Sequence, residues 1–356
     1  MESIIHFRTT KAITRPILKK QRRKSSEMQH GIKRRQWTKD LLDQKREDDE
    51  KKIASYKSLV KSMFQCRDND DYTYEAIELT TNLLDMNPEF NTAWNYRRDI
   101  ISSIKTQLDL GFWKNELKFT MIQLKKFPKV YWIWNHRVWT LDNFPSQQLT
   151  IWQGELTVVD ALLELDSRNF HGWHYRRMVI SKIEELSHSS LNKKEFDYVT
   201  SKINKNISNY SAWHQRVQLI TDMLSKDQIT DKVDFIKKEI DYITNAIFTD
   251  AEDQSVWFYI VWMVKFPTIR ALLSKEDYSN FLRELKDNAL MINADEVDFS
   301  GKENVWCLKI VLEIEIIQRL LCEPIVEAVS KDYLEKLIKL DPLRQNRYRF
   351  LLSKLP

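Results

Sequence analysis

From residue 72 onward the chain alternates short amphipathic runs with brief polar breaks. Ala76, Leu79 and Leu83 mark one face of a helix, which the stretch MNPEF ends, since Pro88 cannot continue the hydrogen-bond pattern. A second helix is predicted to start near Trp94. The plan recurs with Leu156, Val159 and Leu163, then LDSRNF and Trp173. It recurs again with Phe196, Val199, Ile203 and Ile207, then SNYSA and Trp213. Upstream, residues 28–70 read as a long charged helix with Thr38 as N-cap and Ile53, Tyr56, Leu59 and Met63 as its sparse apolar rhythm. The last helix is predicted within Asp341–Leu352.

The second helices share a spacing. Trp94, Trp134, Trp173, Trp213, Trp257 and Trp306 follow one another at intervals of 40, 39, 40, 44 and 49 residues. The first four are followed three positions later by Arg97, Arg137, Arg176 and Arg216, while Ile260 and Lys309 stand at that offset in the last two. Self-similarity at such a period means stacked supersecondary units. The expectation is an all-α right-handed superhelix of about seven helical hairpins that curves into a crescent. Tryptophan is expected to fill the gap between neighbouring hairpins. Arginine, one turn along on the same face, is expected to dress the surface that meets a partner, concentrated on the first four or five hairpins.

Composition agrees with helices: only 5 glycines and 8 prolines occur among 356 residues. Tight-turn sheets and phosphate-cradling loops would both consume more glycine. The net charge of +5 is misleading. Residues 1–27 hold eight Lys/Arg against Glu2 and Glu27, which leaves −1 for the rest, so no basic face for nucleic acid is expected. That leader reads as a disordered tail, as an over-extended start before Met28, or as a transit peptide. The expected organisation is thus a basic extension (1–27), a charged helix (28–70) and hairpin repeats (71–356). Cys66, Cys307 and Cys322 are widely spaced, which points to a reducing compartment. No apolar run has the ~18 residues of a membrane span. The seven histidines form no metal-binding pair on a helix.

The stretches NPEFNTAWNYRR, FPKVYWIWNHR, SRNFHGWHYRR and ISNYSAWHQR resemble the repeat of the protein prenyltransferase α subunits, over roughly residues 72–350. Tetratricopeptide repeats, at ~34 residues, fit neither the period nor the motif. Within the family, the head HGIKRRQWTKDLLDQKREDDEKKIASYKSL and FTDAEDQSVWFY (248–259) look like the Rab-type (type II geranylgeranyltransferase) branch, in a fungal-like form without further domains. The resemblance implies a heterodimer. The crescent would wrap a β subunit, which holds a catalytic Zn²⁺ and binds geranylgeranyl diphosphate at the α/β interface, and this chain alone would be inactive. An escort protein would deliver Rab GTPases, whose C-terminal cysteines are modified, in the cytoplasm. By the same resemblance, Lys129 in FPKVYWIW is the catalytic residue that stabilises departing diphosphate, with Tyr131, Phe170 and His171 as substrate-side neighbours. Phe170 lacks the hydroxyl carried there by the farnesyl-type subunit. His30 would be a metal ligand reaching the β-subunit site if translation starts at Met28, and residues 225–239 are a candidate escort surface. Two other readings stay open: the α subunit shared by farnesyltransferase and type I geranylgeranyltransferase, and a non-catalytic helical scaffold.

Overall fold

The computed structural model describes residues 28–29, 32–33, 38–146, 148–321 and 330–355. Residues 1–27, His30 and Cys322 lie outside the described residues, and with them the expectations for the basic leader and for a metal-ligating His30. The chain divides into two compact units, Met1–Met86 and Asn87–Pro356.

The first unit takes in the charged helix expected over 28–70 and one helix more. It contains a two-residue antiparallel pair, β1 (Met28–Gln29) and β2 (Ile32–Lys33), then α1 (Lys39–Asp68) and α2 (Tyr74–Met86). Thr38 caps α1 by accepting from the Leu41 amide at 3.4 Å. Along α1 only Met63 is buried, while Ile53 is exposed. The helix is therefore a solvated charged rod over most of its length. Helix α2 buries Ala76, Ile77, Thr80, Leu83 and Leu84.

The second unit is built from helical hairpins. Helix α3 (Asn91–Ser103) opens it, followed by α4 (Leu110–Lys126), α5 (Tyr131–Asp142), α6 (Leu149–Leu165), α7 (Phe170–Ser187), α8 (Asn192–Lys205) and α9 (Tyr210–Ser225). Then come α10 (Lys232–Thr249), α11 (Gln254–Lys265), the short α12 (Pro267–Leu272), α13 (Lys275–Ser300), α14 (Val305–Leu320), α15 (Ser330–Leu340) and α16 (Gln345–Leu352). The pairs α4/α5, α6/α7, α8/α9, α10/α11, α13/α14 and α15/α16 pack as hairpins, and α3, α5 and α7, like α9, α11 and α14, touch in succession. Asp109, Asn169, Asn209, Asp231, Asp253, Ser274 and Asn304 cap their helices with side-chain oxygens. At Gly172 the two helices of a hairpin come close: an added Cβ would sit 3.0 Å from Leu163 Cδ2.

Trp94, Trp134, Trp173, Trp213 and Trp257 are buried between hairpins. Each indole Nε1 donates to the carbonyl six residues back, Pro88, Pro128, Ser167, Ile207 and Ala251 respectively, at 2.8–3.0 Å. A buried indole thus has its polar atom satisfied, and the loop joining the two helices is tied to the hairpin. Trp306 does not share this place. Asn304 caps α14 as Asn169 and Asn209 cap α7 and α9, and the amide four residues on, which bonds the cap carbonyl, is that of Leu308, against Trp173 and Trp213. Leu308 is fully buried and occupies the tryptophan position, whereas Trp306 is half-buried against Phe258 at 5.4 Å. The expectation of Trp306 as a repeat-packing residue is corrected accordingly, and with it the alignment of Lys309 to the arginines; Val311 stands there, buried.

Candidate functional site

The loops that enter α5 and α7 lie side by side. Pro128 O, in the first loop, accepts two hydrogen bonds: from Trp134 Nε1 of its own hairpin at 3.0 Å and from Asn169 Nδ2 of the next at 3.0 Å. The pattern repeats one hairpin on, where Ser167 O accepts from Trp173 Nε1 at 2.9 Å and Asn209 Nδ2 at 3.1 Å. A carbonyl has two lone pairs, and here both are used to lock neighbouring loops together.

This lock brings the four expected site residues to one place. Lys129 follows Pro128 directly; its side chain is 76% exposed, and Nζ stands 3.7 Å from Asp166 Oδ2. Tyr131 meets the His171 ring edge-on at 5.4 Å, and Phe170 lies 3.9 Å from it. Tyr131 and Phe170 are themselves exposed, at 54% and 65%. Burial lowers the His171 pKa from its ordinary value, and the nearby Lys129 backbone and His174 act on it more weakly, in opposite directions. The ring is therefore neutral at neutral pH, and the ammonium of Lys129 supplies the positive charge of this cluster. The arrangement thus leaves the Lys129 ammonium exposed, 3.7 Å from Asp166 Oδ2, on a loop next to the His171 ring and its two exposed aromatic neighbours.

The arginines are placed differently from the sequence expectation. Arg97, Arg137, Arg176 and Arg216 are not an exposed, partner-facing row; each is only 2–3% exposed. Arg97 grips Glu116 through Nε and Nη2 at 2.7 and 2.6 Å, and Arg137 grips Glu155 at 2.8 and 2.7 Å. Arg176 grips Glu195 at 2.7 and 2.6 Å, and Arg216 grips Glu239 in the same way. A guanidinium inside a protein requires a fork-shaped acceptor, and the first helix of the following hairpin supplies it. Sequence reasoning missed these four glutamates. Their signal was a single carboxylate inside an apolar stripe, as in Trp152, Glu155, Val159 and Leu163 of α6.

The residue two places after each tryptophan often completes the network. Tyr175 OH donates to Glu155 at 2.5 Å, Tyr259 OH to Glu239 at 2.6 Å, and His136 Nε2 meets Glu116 at 2.6 Å. Burial works against the charged form of Glu116, but Arg97 and His136 together outweigh it and hold the carboxyl well below its usual range. Burial pushes the pKa of His136 down despite the adjacent carboxylate, so its Nε2–H donates as a neutral imidazole.

Residues 73–104, 113–144, 152–183, 192–223 and 236–266 match the Protein prenyltransferase alpha subunit repeat. The chain belongs to the protein prenyltransferase α-subunit family. It is 54% identical over 325 residues, 91% of this chain and 99% of the relative, to the Geranylgeranyl transferase type-2 subunit alpha of Saccharomyces cerevisiae. The relative of the same name in Schizosaccharomyces pombe is 37% identical and is covered over 98% of its length, and this chain over 92%. The human one is 34% identical over 198 residues, 54% of this chain and 34% of that protein. Within the family the chain therefore groups with the type-2 geranylgeranyl transferase α subunits. A solved structure described as Candida albicans protein geranylgeranyltransferase-I complexed with GGPP shares the fold, with a TM-score of 0.62 over 85% of this chain and 91% of that one at 21% identity.

Among the described residues, no group of three or more His, Cys, Asp or Glu side chains could hold a metal ion, and no helix is long and apolar enough to cross a membrane.

Proposed function

We propose that this chain is the α subunit of a heterodimeric enzyme that moves a geranylgeranyl group from geranylgeranyl diphosphate to C-terminal cysteines of Rab GTPases presented by an escort protein in the cytoplasm. In this reading the catalytic zinc and the isoprenoid pocket belong to the β subunit. Zinc bound there would supply a lowered thiol pKa, so that the acceptor cysteine reacts as its thiolate. A carbon–sulfur bond forms at C1 of the isoprenoid, the carbon–oxygen bond to diphosphate breaks, and negative charge accumulates on the leaving oxygens. Lys129 meets that charge. A preorganised cation aimed at a developing anion lowers the barrier because the charge is larger in the transition state than in the bound substrate. Tyr131, Phe170 and His171 frame the same spot.

What carries the reading is the packing of the Tyr131, Phe170 and His171 rings at the starts of α5 and α7, next to the loop from which Lys129 projects accessibly. In place of the buried arginines, the exposed aromatic residues that open the second helices, Tyr131, Phe170 and Tyr210, are assigned to the partner face.

The test is co-expression of the chain with prenyltransferase β-subunit candidates. Each purified pair is assayed for labelled geranylgeranyl transfer to a Rab with and without escort protein, and for farnesyl transfer to a CaaX peptide. Escort-dependent transfer to Rab supports the reading. Transfer to the CaaX peptide alone assigns the chain to the shared farnesyl-type subunit, and a stable monomer with no pair makes it a scaffold.

A further inference from the structure

We propose that Asn169 is a positioning residue for Lys129, acting on its backbone across the hairpin boundary; the inference rests on the role assigned to Lys129 above. The Lys129 side chain makes one long contact, to Asp166 at 3.7 Å, and is otherwise in water. A flexible four-carbon stem gains little direction from such a contact. What can aim the ammonium is the backbone from which it springs.

That backbone is held from two hairpins. Val130 N donates to Phe127 O at 3.2 Å and closes the turn, and Trp134 Nε1 ties Pro128 O to the lysine's own hairpin. Asn169 Nδ2 adds the tie from the next hairpin, 3.0 Å from the same oxygen. Without it the loop keeps its turn, its indole and the packing of Tyr131 and Trp134 on His171 of α7, but the carbonyl next to Lys129 loses its one hydrogen bond from the following hairpin.

The identity of the side chain follows from its two duties. Asn169 Oδ1 accepts from the His171 amide at 3.0 Å and the Gly172 amide at 3.2 Å, so it caps α7. Its amide orientation is therefore determined: flipping it would set oxygen against the Pro128 carbonyl and NH₂ against two N–H groups. Serine or aspartate would cap the helix as well. Aspartate has no donor and serine carries its single hydroxyl on a shorter side chain; of the three, asparagine alone sets a separate donor atom against the Pro128 carbonyl while its oxygen caps. Asn209 and Asn304 use the same geometry on Ser167 O and Ala251 O as a scaffold device. At Asn169 the clamped carbonyl belongs to the residue before Lys129, and there the scaffold device reaches the site.

The experiment uses the purified heterodimer carrying Asn169→Asp, Lys129→Ala or both, with single-turnover transfer rates and geranylgeranyl diphosphate binding measured for each. Aspartate keeps the cap and removes the donor. A misplacement of about 1 Å can cost ~100-fold in rate, so Asn169→Asp alone should slow the bond-forming step by roughly tenfold or more. Diphosphate affinity should stay within about threefold, the pattern of a group that acts in the transition state. Added to Lys129→Ala, it should cause no further slowing. Asn169→Ser, which caps but cannot reach Pro128 O, should reproduce the result if the aspartate variant fails to assemble. A wild-type rate in Asn169→Asp, or a slowing that multiplies with that of Lys129→Ala, overturns the positioning role. A wild-type rate in Lys129→Ala removes the reading of Lys129 itself, and the inference with it.

Discussion

Arg176 on α7 and Glu195 on α8 are joined by two parallel hydrogen bonds, Nε to Oε2 at 2.7 Å and Nη2 to Oε1 at 2.6 Å, with both side chains removed from water. The pair spans two successive hairpins and recurs at every junction from α3/α4 to α9/α10 in the second unit. Its geometry is what makes it tolerable, since a buried charge without a matched partner is costly. The Arg176 guanidinium also lies over the Tyr198 ring at 3.4 Å, and its third nitrogen meets Asp160. Each arginine is thus a staple of the array.

Removing one half of a staple should be more damaging than removing both. Arg176→Ala leaves Glu195 buried and unpaired and should destabilise the protein by ~3–5 kcal/mol. Arg176→Met combined with Glu195→Leu should recover most of that loss, because apolar residues of similar volume need no partner. Thermal unfolding of the purified heterodimer carrying each variant checks the order of the midpoints.

Acidification should loosen the junction at His136. Its pKa is lowered in the folded state by burial, so the unfolded chain takes up a proton first as pH falls. The stabilisation is complete above the ordinary histidine value and drains away as pH drops below it. Glu116 acts in a separate, lower window, because its depressed pKa contributes stability that is lost only in the carboxylate range. Melting temperatures between pH 7.5 and 5 should fall in the wild type and fall less in His136→Gln, which keeps a donor for Glu116 without a titrating ring.

Trp257 and Trp306, the last two tryptophans of the repeat series, should behave differently. Trp257 is buried and its indole bonds Ala251 O, so Trp257→Ala should cost ~3–5 kcal/mol. Trp306 is half-buried and outside the repeat position, so Trp306→Ala should cost about 1–2 kcal/mol or less by the area it covers. Equal losses in unfolding experiments would contradict the assignment of Leu308 as the packing residue.

The array was legible because tryptophan is conspicuous and its spacing nearly constant. The site was legible only through resemblance, since Lys129 by itself is one of many exposed lysines. What pattern reading misplaced was the arginine row. Charge usually means surface, and the offset of three residues from tryptophan says which face of the helix is meant but not what covers it. The covering element is the next hairpin's first helix, whose Glu116, Glu155, Glu195 and Glu239 lie 18–23 residues on in sequence. Trp306 misled for a related reason: an interval of 49 residues was accepted as a stretched repeat, whereas the Asn304 cap fixes the frame two residues later. Asn169 escaped notice because a helix-capping asparagine is ordinary, and only its second bond, across to Pro128 O, distinguishes it.

The most direct test of the account is single-turnover geranylgeranyl transfer to escort-bound Rab by the heterodimer carrying Lys129→Ala. The expected result is an intact heterodimer with normal diphosphate affinity and a bond-forming step slowed by roughly 10- to 100-fold, the loss typical of one preorganised charge-stabilising group. An unchanged rate in an intact heterodimer would contradict the assignment of Lys129 to the departing diphosphate.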